Sequence, residues 1–375
     1  MLRKNPFQIK VLPVDAPFCN RTKEMEKLTE YGYSGTSAVV YSPRREGKTS
    51  LMNRVQYKLR NEGCITIKTD FFSVFSIDDI AMRLAKAVFS ETKRHDSWLT
   101  KAMNTLKSFR PAFQPDPVSG SLTLTLIPSS GKTGFDLLED VMFSIKNLSD
   151  SIENPINIFI DEFQEITDLK DSAKIEGIMR TFMQETKASF FFVGSRRRIL
   201  FDMFNERVRP FYRMAVNYPI EKIEHSELTK WVTEQFDSHG VDCKIAADEL
   251  VKIVHRHTYY VQKLSMLTFN ISEKLVTKET LVQAYSDMVE SEKPTFEEAY
   301  LKPLSPAQRN VLISLAKENT AQPLSRNYIK NNSLPAASTM QSAIKVLTNN
   351  DLIQIENGIY TLVDKVFQDY LISRY

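Results

Sequence analysis

Three groups of residues in this sequence could do chemistry together. Ser42-Pro43-Arg44-Arg45-Glu46-Gly47-Lys48-Thr49, followed by Ser50, fits GxxxxGK[ST], with Ser42, another small residue, at the first glycine. Such a loop turns tightly into a helix, so that its backbone N–H groups cradle phosphates. Its lysine reaches the β and γ oxygens and its last hydroxyl binds Mg2+. Lys48 and Thr49 hold those two positions. The second group is Asp161-Glu162, at the end of the apolar run Ile156-Asn-Ile-Phe-Ile. The run drives a strand into a sheet and leaves both carboxylates at its C-terminal edge, beside the phosphates. Asp161 is expected to hold Mg2+ through water, and Glu162 to act as general base on the attacking water.

The third group is Val193-Gly194-Ser195-Arg196-Arg197-Arg198. The Ser195 hydroxyl and Arg196 guanidinium are expected to touch the γ-phosphate and register its loss, with Arg197 and Arg198 on a solvated helix start. Further on, Arg207, Arg209 and Arg213 precede another strand. Arg213 is the best placed of these as an arginine finger, in cis or toward a neighbouring subunit, the alternative being surface ion pairing. A second Gly-Lys-Thr, at Gly131-Lys132-Thr133, has Leu126 where the small residue belongs, an alternating strand before it and Gly134 after it. It is expected to be a hairpin turn.

The elements that must position these groups are five strand-length runs: Ala38 to Ser42, Ile65 to Asp70, Ile156 to Asp161, Phe190 to Ser195 and Met214 to Tyr218. Most are too continuously apolar for a half-exposed sheet, and they alternate with amphipathic stretches, the pattern of a parallel α/β sheet. Leu51, Met52, Val55 and Leu59 share one helical face after the first strand, and Gly63 ends that helix. Between the second and third runs come a helix expected from Ile77 to about Phe109, a segment with Pro111, Pro115 and Pro117, and the alternating Leu122-Thr-Leu-Thr-Leu, which predicts a β-hairpin. Residues 221 to about 292 have helical patterns only, near 226–239, 246–257, 259–274 and 278–290. A linker with Pro294, Pro303 and Pro306 leads to a last module. The division expected is an α/β nucleotide-binding domain over 1–219, a helical lid over 220–295 and a third domain over 296–375.

With these motifs in place, the sequence resembles prokaryotic AAA-like ATPases related to the archaeal ATPase family, within the STAND class of signalling NTPases. The likeness rests on Asn5-Pro6-Phe7, Phe18-Cys19-Asn20-Arg21 with Glu24, the loop through Leu51, Asp161-Glu162-Phe163-Gln164, Gly194-Ser195-Arg196, Pro210-Phe211-Tyr212 and Tyr259-Tyr260-Val261-Gln262. It implies a P-loop fold of the ASCE type with a five-stranded parallel sheet in the order 5-1-4-3-2. It also implies ATP or ADP as ligand, with Phe18, Asn20 and Arg21 near adenine and the helical region as a lid. Similar proteins often carry Gly-x-Pro before the paired tyrosines, a motif tied to nucleotide sensing; here Arg256-His257-Thr258 stands there.

In the last module, three helical stretches near 305–317, 325–331 and 338–348 precede a hairpin centred on Asn357-Gly358, which together spell a winged helix. Residues 301–375 hold eight Lys and Arg against five Asp and Glu. That surplus allows DNA contact through Gln341, Ser342 and Lys345 on the third helix, with protein docking or dimerisation the alternative.

Over 375 residues, 42% hydrophobic and 25% charged composition is that of an ordinary globular chain. A net charge of +3 is too balanced to argue for nucleic acid by itself. Cys19, Cys64 and Cys243 lie far apart and the five histidines have no metal spacing, so no metal besides Mg2+ is expected and a reducing compartment fits. Charge and proline interrupt Met1 to Phe7 before any signal-peptide core, and no apolar run is long enough to span a bilayer, so a cytoplasmic protein without membrane contact is expected. The function expected is a Mg-dependent ATPase switch, slow or stimulated by a partner, whose winged helix engages that partner according to nucleotide state. A DNA-binding regulator with ATP as a slowly hydrolysed ligand and a protein scaffold are the alternatives, and homo-oligomerisation is left open.

Overall fold

A computed structural model describes residues 4–92, 106, 108–115 and 122–375. Among these, nine strands occur: β1 (Ala38–Tyr41), β2 (Ile65–Asp70), β3 (Phe109–Pro115), β4 (Leu122–Pro128), β5 (Ile156–Asp161), β6 (Ser189–Gly194), β7 (Val216–Pro219), β8 (Ile353–Glu356) and β9 (Ile359–Leu362). Five form one parallel sheet in the order β2-β5-β6-β1-β7, which is the expected 5-1-4-3-2 for the five apolar runs. The central strands are apolar at nearly every position because both faces are covered. Phe159 and Phe191 stack at 4.5 Å, while Phe192 packs with Phe163, Phe204 and Phe211. Register aligns Tyr41 with Gly194 and Asp70 with Asp161, so Ser42, Asp161, Glu162 and Ser195 all emerge at the C-terminal edge of the sheet.

The chain divides into two compact units. One holds residues 22–42 and 48–220; the other holds residues 1–21, 43–47 and 221–375. The sheet unit carries the helix Lys48–Asn61, whose buried face includes Leu51, Met52, Val55 and Leu59 as its periodicity requires. The helix expected over 77–109 is described as Ile77–Thr92; most of 93–107 lies outside the described residues, and Phe109 opens β3. The proline segment is therefore partly strand: Pro111 pairs with Leu126 and Pro115 with Leu122. A two-stranded hairpin has only edge strands, where proline's missing donor can face away from the ladder. Gly131-Lys132-Thr133 is not the hairpin turn expected. It joins β4 to the helix Gly134–Ser151, and Thr133 caps that helix in a capping box with Asp136. Gly134 admits close packing there, since a Cβ would come within 2.3 Å of Ile77.

The other unit has a single core running from Phe7 through the helices His225–Asp237 and Thr258–Ile271 to the C-terminal winged helix. Phe7 sits against Phe236 at 5.0 Å and edge-on to Trp231, and Asn5 donates to the Met266 carbonyl. The Asn5-Pro6-Phe7 motif is thus a staple on the helical region. The winged helix comprises Pro306–Lys317, Arg326–Asn331 and Ala337–Asn349, then β8 and β9 joined through Asn357 and Gly358, both at positive φ as the hairpin signal requires. A further helix, Lys365–Arg374, follows. The linker at Pro294 is helical: Lys278–Pro294 runs on into a π-helix, Thr295–Leu301, because buried Phe296 packs on Phe367 and Tyr370. No described helix is long and apolar enough to cross a membrane.

Candidate nucleotide-binding site

The loop between β1 and its helix is held at both ends inside the sheet unit. Lys48 is buried, and its Nζ donates to the Ser42 carbonyl at 2.9 Å and the Ser42 hydroxyl at 3.2 Å. The serine in place of glycine thus supplies an acceptor that parks the lysine on its own loop. Thr49 Oγ1 donates to Asp161 Oδ2 at 3.2 Å. Burial, together with Glu162 and Asp70 nearby, pushes the Asp161 carboxyl up, which the Thr49 hydroxyl only partly offsets. A hydroxyl beside a carboxylate crowded by like charge is a donor set that a divalent cation relieves, so Mg2+ fits here. The described residues hold no group of three or more His, Cys, Asp or Glu able to bind a metal by themselves. A hard cation at Thr49 and Asp161 would complete its shell with water and phosphate.

Glu162 adopts a left-handed conformation, φ 48° and ψ 41°, a strain of roughly 1–3 kcal/mol for a residue with a side chain. That turn brings its carboxylate back against the next strand, where Oε2 accepts from Ser195 Oγ at 3.1 Å and from Gln164 Nε2. Ser195, expected at the γ-phosphate, here gives its hydroxyl to Glu162. Arg196 does not point to the loop: its guanidinium pairs with Asp168 at 2.7 Å and lies 3.9 Å from Glu165, acids of the turn that follows Glu162. These nearer countercharges displace the expected γ-phosphate placement. Arg213 is also placed elsewhere. It precedes β7, at the edge of the sheet where the parallel strands begin and opposite the edge bearing the loop, with its guanidinium over the Tyr212 ring. This corrects the expected cis option. Arg209 is paired with Glu176, and Arg207 is exposed.

The tip of the same loop belongs to the helical unit. Glu46 is 3% exposed, and its Oε2 accepts from both the backbone N–H and the hydroxyl of Thr258, at 3.2 and 2.6 Å. Burial would push this carboxyl up, but His257 and the two Thr258 bonds outweigh it and hold it below the usual carboxylate range. Arg45, at φ 63°, pairs with buried Glu292 at 3.3 Å and lies over the Tyr259 ring. Glu292 is further bonded to Lys263 and Tyr259. Thr258 therefore stands where Gly-x-Pro would end and grips the loop instead. Both arginines of the loop are exposed, and of the two only Arg45 has an ion pair among the described residues.

Phe18, Asn20 and Arg21 belong to the helical unit. Asn20 donates to Glu227, and Arg21 is buried with Nη1 on the Glu221 carbonyl. The structure thus brings together Ser42, Lys48, Thr49, Asp161, Glu162 and Ser195, and separately Arg45 and Glu46 with Thr258, Tyr259 and Glu292. Sequence analysis missed Gln164 and Thr258. The first was visible only as a motif letter, and the second lies 212 residues from its partner.

A family model described as "Probable winged helix domain" matches residues 295–373. Among curated proteins, no relative matches the sequence. Solved structures with a similar fold include a Walker-type ATPase of Pyrococcus abyssi, 15% identical with a TM-score of 0.69, covering 97% of this chain and 99% of that one. The ORC2 protein of Aeropyrum pernix, in ADPNP–ADP complexes, is 16% identical with a TM-score of 0.57 over 97% and 95%. The ORC1 protein of Aeropyrum pernix in complex with DNA is 14% identical with a TM-score of 0.52 over the same shares, 97% and 95%. At such identity the likeness concerns the fold: a parallel α/β sheet of the Walker-type ATPases with a C-terminal winged helix.

Proposed function

We propose that the chain is an ATP-binding, ATP-hydrolysing switch of the AAA/STAND kind. One observation carries this: within the sheet unit the buried Lys48 is held on Ser42 while Thr49 meets Asp161, which sets the lysine, hydroxyl and carboxylate of a phosphate-type site at one sheet edge. Lys48 exchanges its bonds to Ser42 for phosphate oxygens. Thr49 and Asp161 would hold Mg2+, which when bound would offset the charge of the phosphates. Glu162 takes the proton of a water as the water oxygen bonds phosphorus and the bond to the β-phosphate oxygen breaks, leaving ADP and inorganic phosphate. Arg213, exposed at the far edge of the sheet, suits action on a neighbouring copy, and turnover is then slow in isolated chains. The test is calorimetry and phosphate release with and without Mg2+. A protein that neither binds ATP nor releases phosphate at high concentration overturns the proposal.

DNA binding through the winged helix is a second reading, favoured by the exposure of Gln341, Ser342 and Lys345 on Ala337–Asn349, whose opposite face is buried. Against it, the hairpin exposes Ile355, Glu356 and Ile359, which suit a protein partner better than phosphate. Contacts to about three to five phosphates give a slope of log K against log salt of about −3 to −4.5. Fluorescence anisotropy on duplex and single-stranded DNA, with ATP, ADP or neither, measures it. No binding at low salt in any state removes DNA as the partner.

A further inference from the structure

Gln164 has no place in the chemistry set out above, yet it is wholly buried beside it. Its Nε2 donates to Glu162 Oε2, the oxygen that also accepts from Ser195, and its backbone carbonyl is fixed by Thr167 Oγ1 at 2.8 Å. Its own Oε1 is buried without a hydrogen-bond partner among the described residues. That arrangement forgoes a hydrogen bond in order to aim the amide N–H at Glu162. The neighbouring strand makes room for it: a Cβ at Gly194 would come within 1.8 Å of Gln164 Oε1. Two donors therefore meet one carboxylate oxygen, Oε2, while Oε1 of Glu162 has no hydrogen bond among the described residues.

We propose that Gln164 is a positioning residue for hydrolysis: with Ser195 it fixes Glu162 by Oε2 and so aims Oε1 at the attacking water, with Gly194 as the clearance that admits its side chain. The proposal rests on the ATPase reading of the site. Left-handed backbone at Glu162 sets the carboxylate's general direction, but a side chain with its own torsions needs an anchor at its far end to stay there. Ser195 alone, through one bond, leaves the carboxylate free to swing about that bond; the second donor removes this freedom. Displacing a general base from its working geometry costs up to ~100-fold in rate while leaving substrate binding intact.

The experiment is a double-mutant cycle on single-turnover hydrolysis, with ATP affinity measured in parallel. Gln164→Met, close in volume but without the donor, is expected to slow hydrolysis by about 10- to 100-fold with the Kd for ATP unchanged. In a Glu162→Gln background the same change is expected to add less than about twofold, because it acts through Glu162. Gly194→Ala, which displaces the amide without altering its hydrogen-bonding groups, is expected to reproduce the loss and to add little in a Gln164→Ala background. Losses that multiply across the Glu162 cycle, or a Gln164→Met protein as fast as the wild type, overturn the proposal, as does a loss confined to ATP affinity. A wild type without hydrolysis, or a Glu162→Gln change without effect, would instead strike the ATPase reading itself.

Discussion

Two Gly-Lys-Thr tripeptides occur in this chain, and only their surroundings distinguish them. At Gly47-Lys48-Thr49 the tripeptide follows a strand inside a five-stranded parallel sheet, and its threonine meets the carboxylate that ends a strand of that sheet. At Gly131-Lys132-Thr133 it follows one arm of a two-stranded hairpin, and its threonine closes a capping box on the nearby Asp136. The same residue types thus serve a site in one place and a helix end in the other. A lysine beside a threonine acquires phosphate chemistry from a buried sheet edge that gathers acids around it, and without that edge the hydroxyl is spent on local backbone.

The largest test of this contrast is Glu162→Gln. It should slow hydrolysis by about 10²- to 10⁴-fold while ATP still binds, because the amide cannot take the water's proton. The acid beside the second tripeptide, Asp136, is a helix-capping residue and does not end a strand of the parallel sheet, so equal rates would erase the distinction. Next, Lys48→Ala should weaken ATP binding by about 10- to 150-fold, the equivalent of roughly 1.5–3 kcal/mol for a charge-assisted bond. Lys132→Ala should leave calorimetric affinity unchanged. Thr133→Ala reverses the pattern: loss of the cap should cost about 1 kcal/mol and lower Tm by about 2–4 °C, with nucleotide affinity intact. Smallest is Ser42→Gly, which removes the hydroxyl acceptor from parked Lys48 and should tighten ATP binding by about two- to fivefold. Weaker binding would show that the serine hydroxyl helps the loop rather than restraining its lysine.

The parts that were legible in the sequence are those whose cause is local. Continuous apolar runs of strand length such as Phe190 to Val193 fit buried strands, and Asn357-Gly358 favours a tight turn between alternating residues. The loop and the Asp161-Glu162 pair were legible for the same reason, since strand direction alone brings them to one edge. Whatever depends on distant partners was not. Arg196 was expected at phosphate because nothing in its own segment reveals Asp168 as its counterion. Glu46 was counted among the loop residues, but the helix whose first amide it accepts begins more than half the chain away. The helical run through Pro294 escaped because burial of Phe296, against residues near the C-terminus, overrides the local signal of the proline.

The bond from Thr258 to Glu46 makes the loop part of a helix start. His257 offers no side-chain cap to the helix Thr258–Ile271, so the carboxylate of Glu46 stands in as the anion at its N-terminus. Thermodynamic linkage then sets an equality. The free energy by which ATP protects the first turn of that helix from opening must equal the free energy by which closing that turn tightens ATP. Amide exchange at residues 258–262 with and without ATP measures that coupling, and Glu46→Gln, which weakens the bond through which it would run, is expected to shrink it.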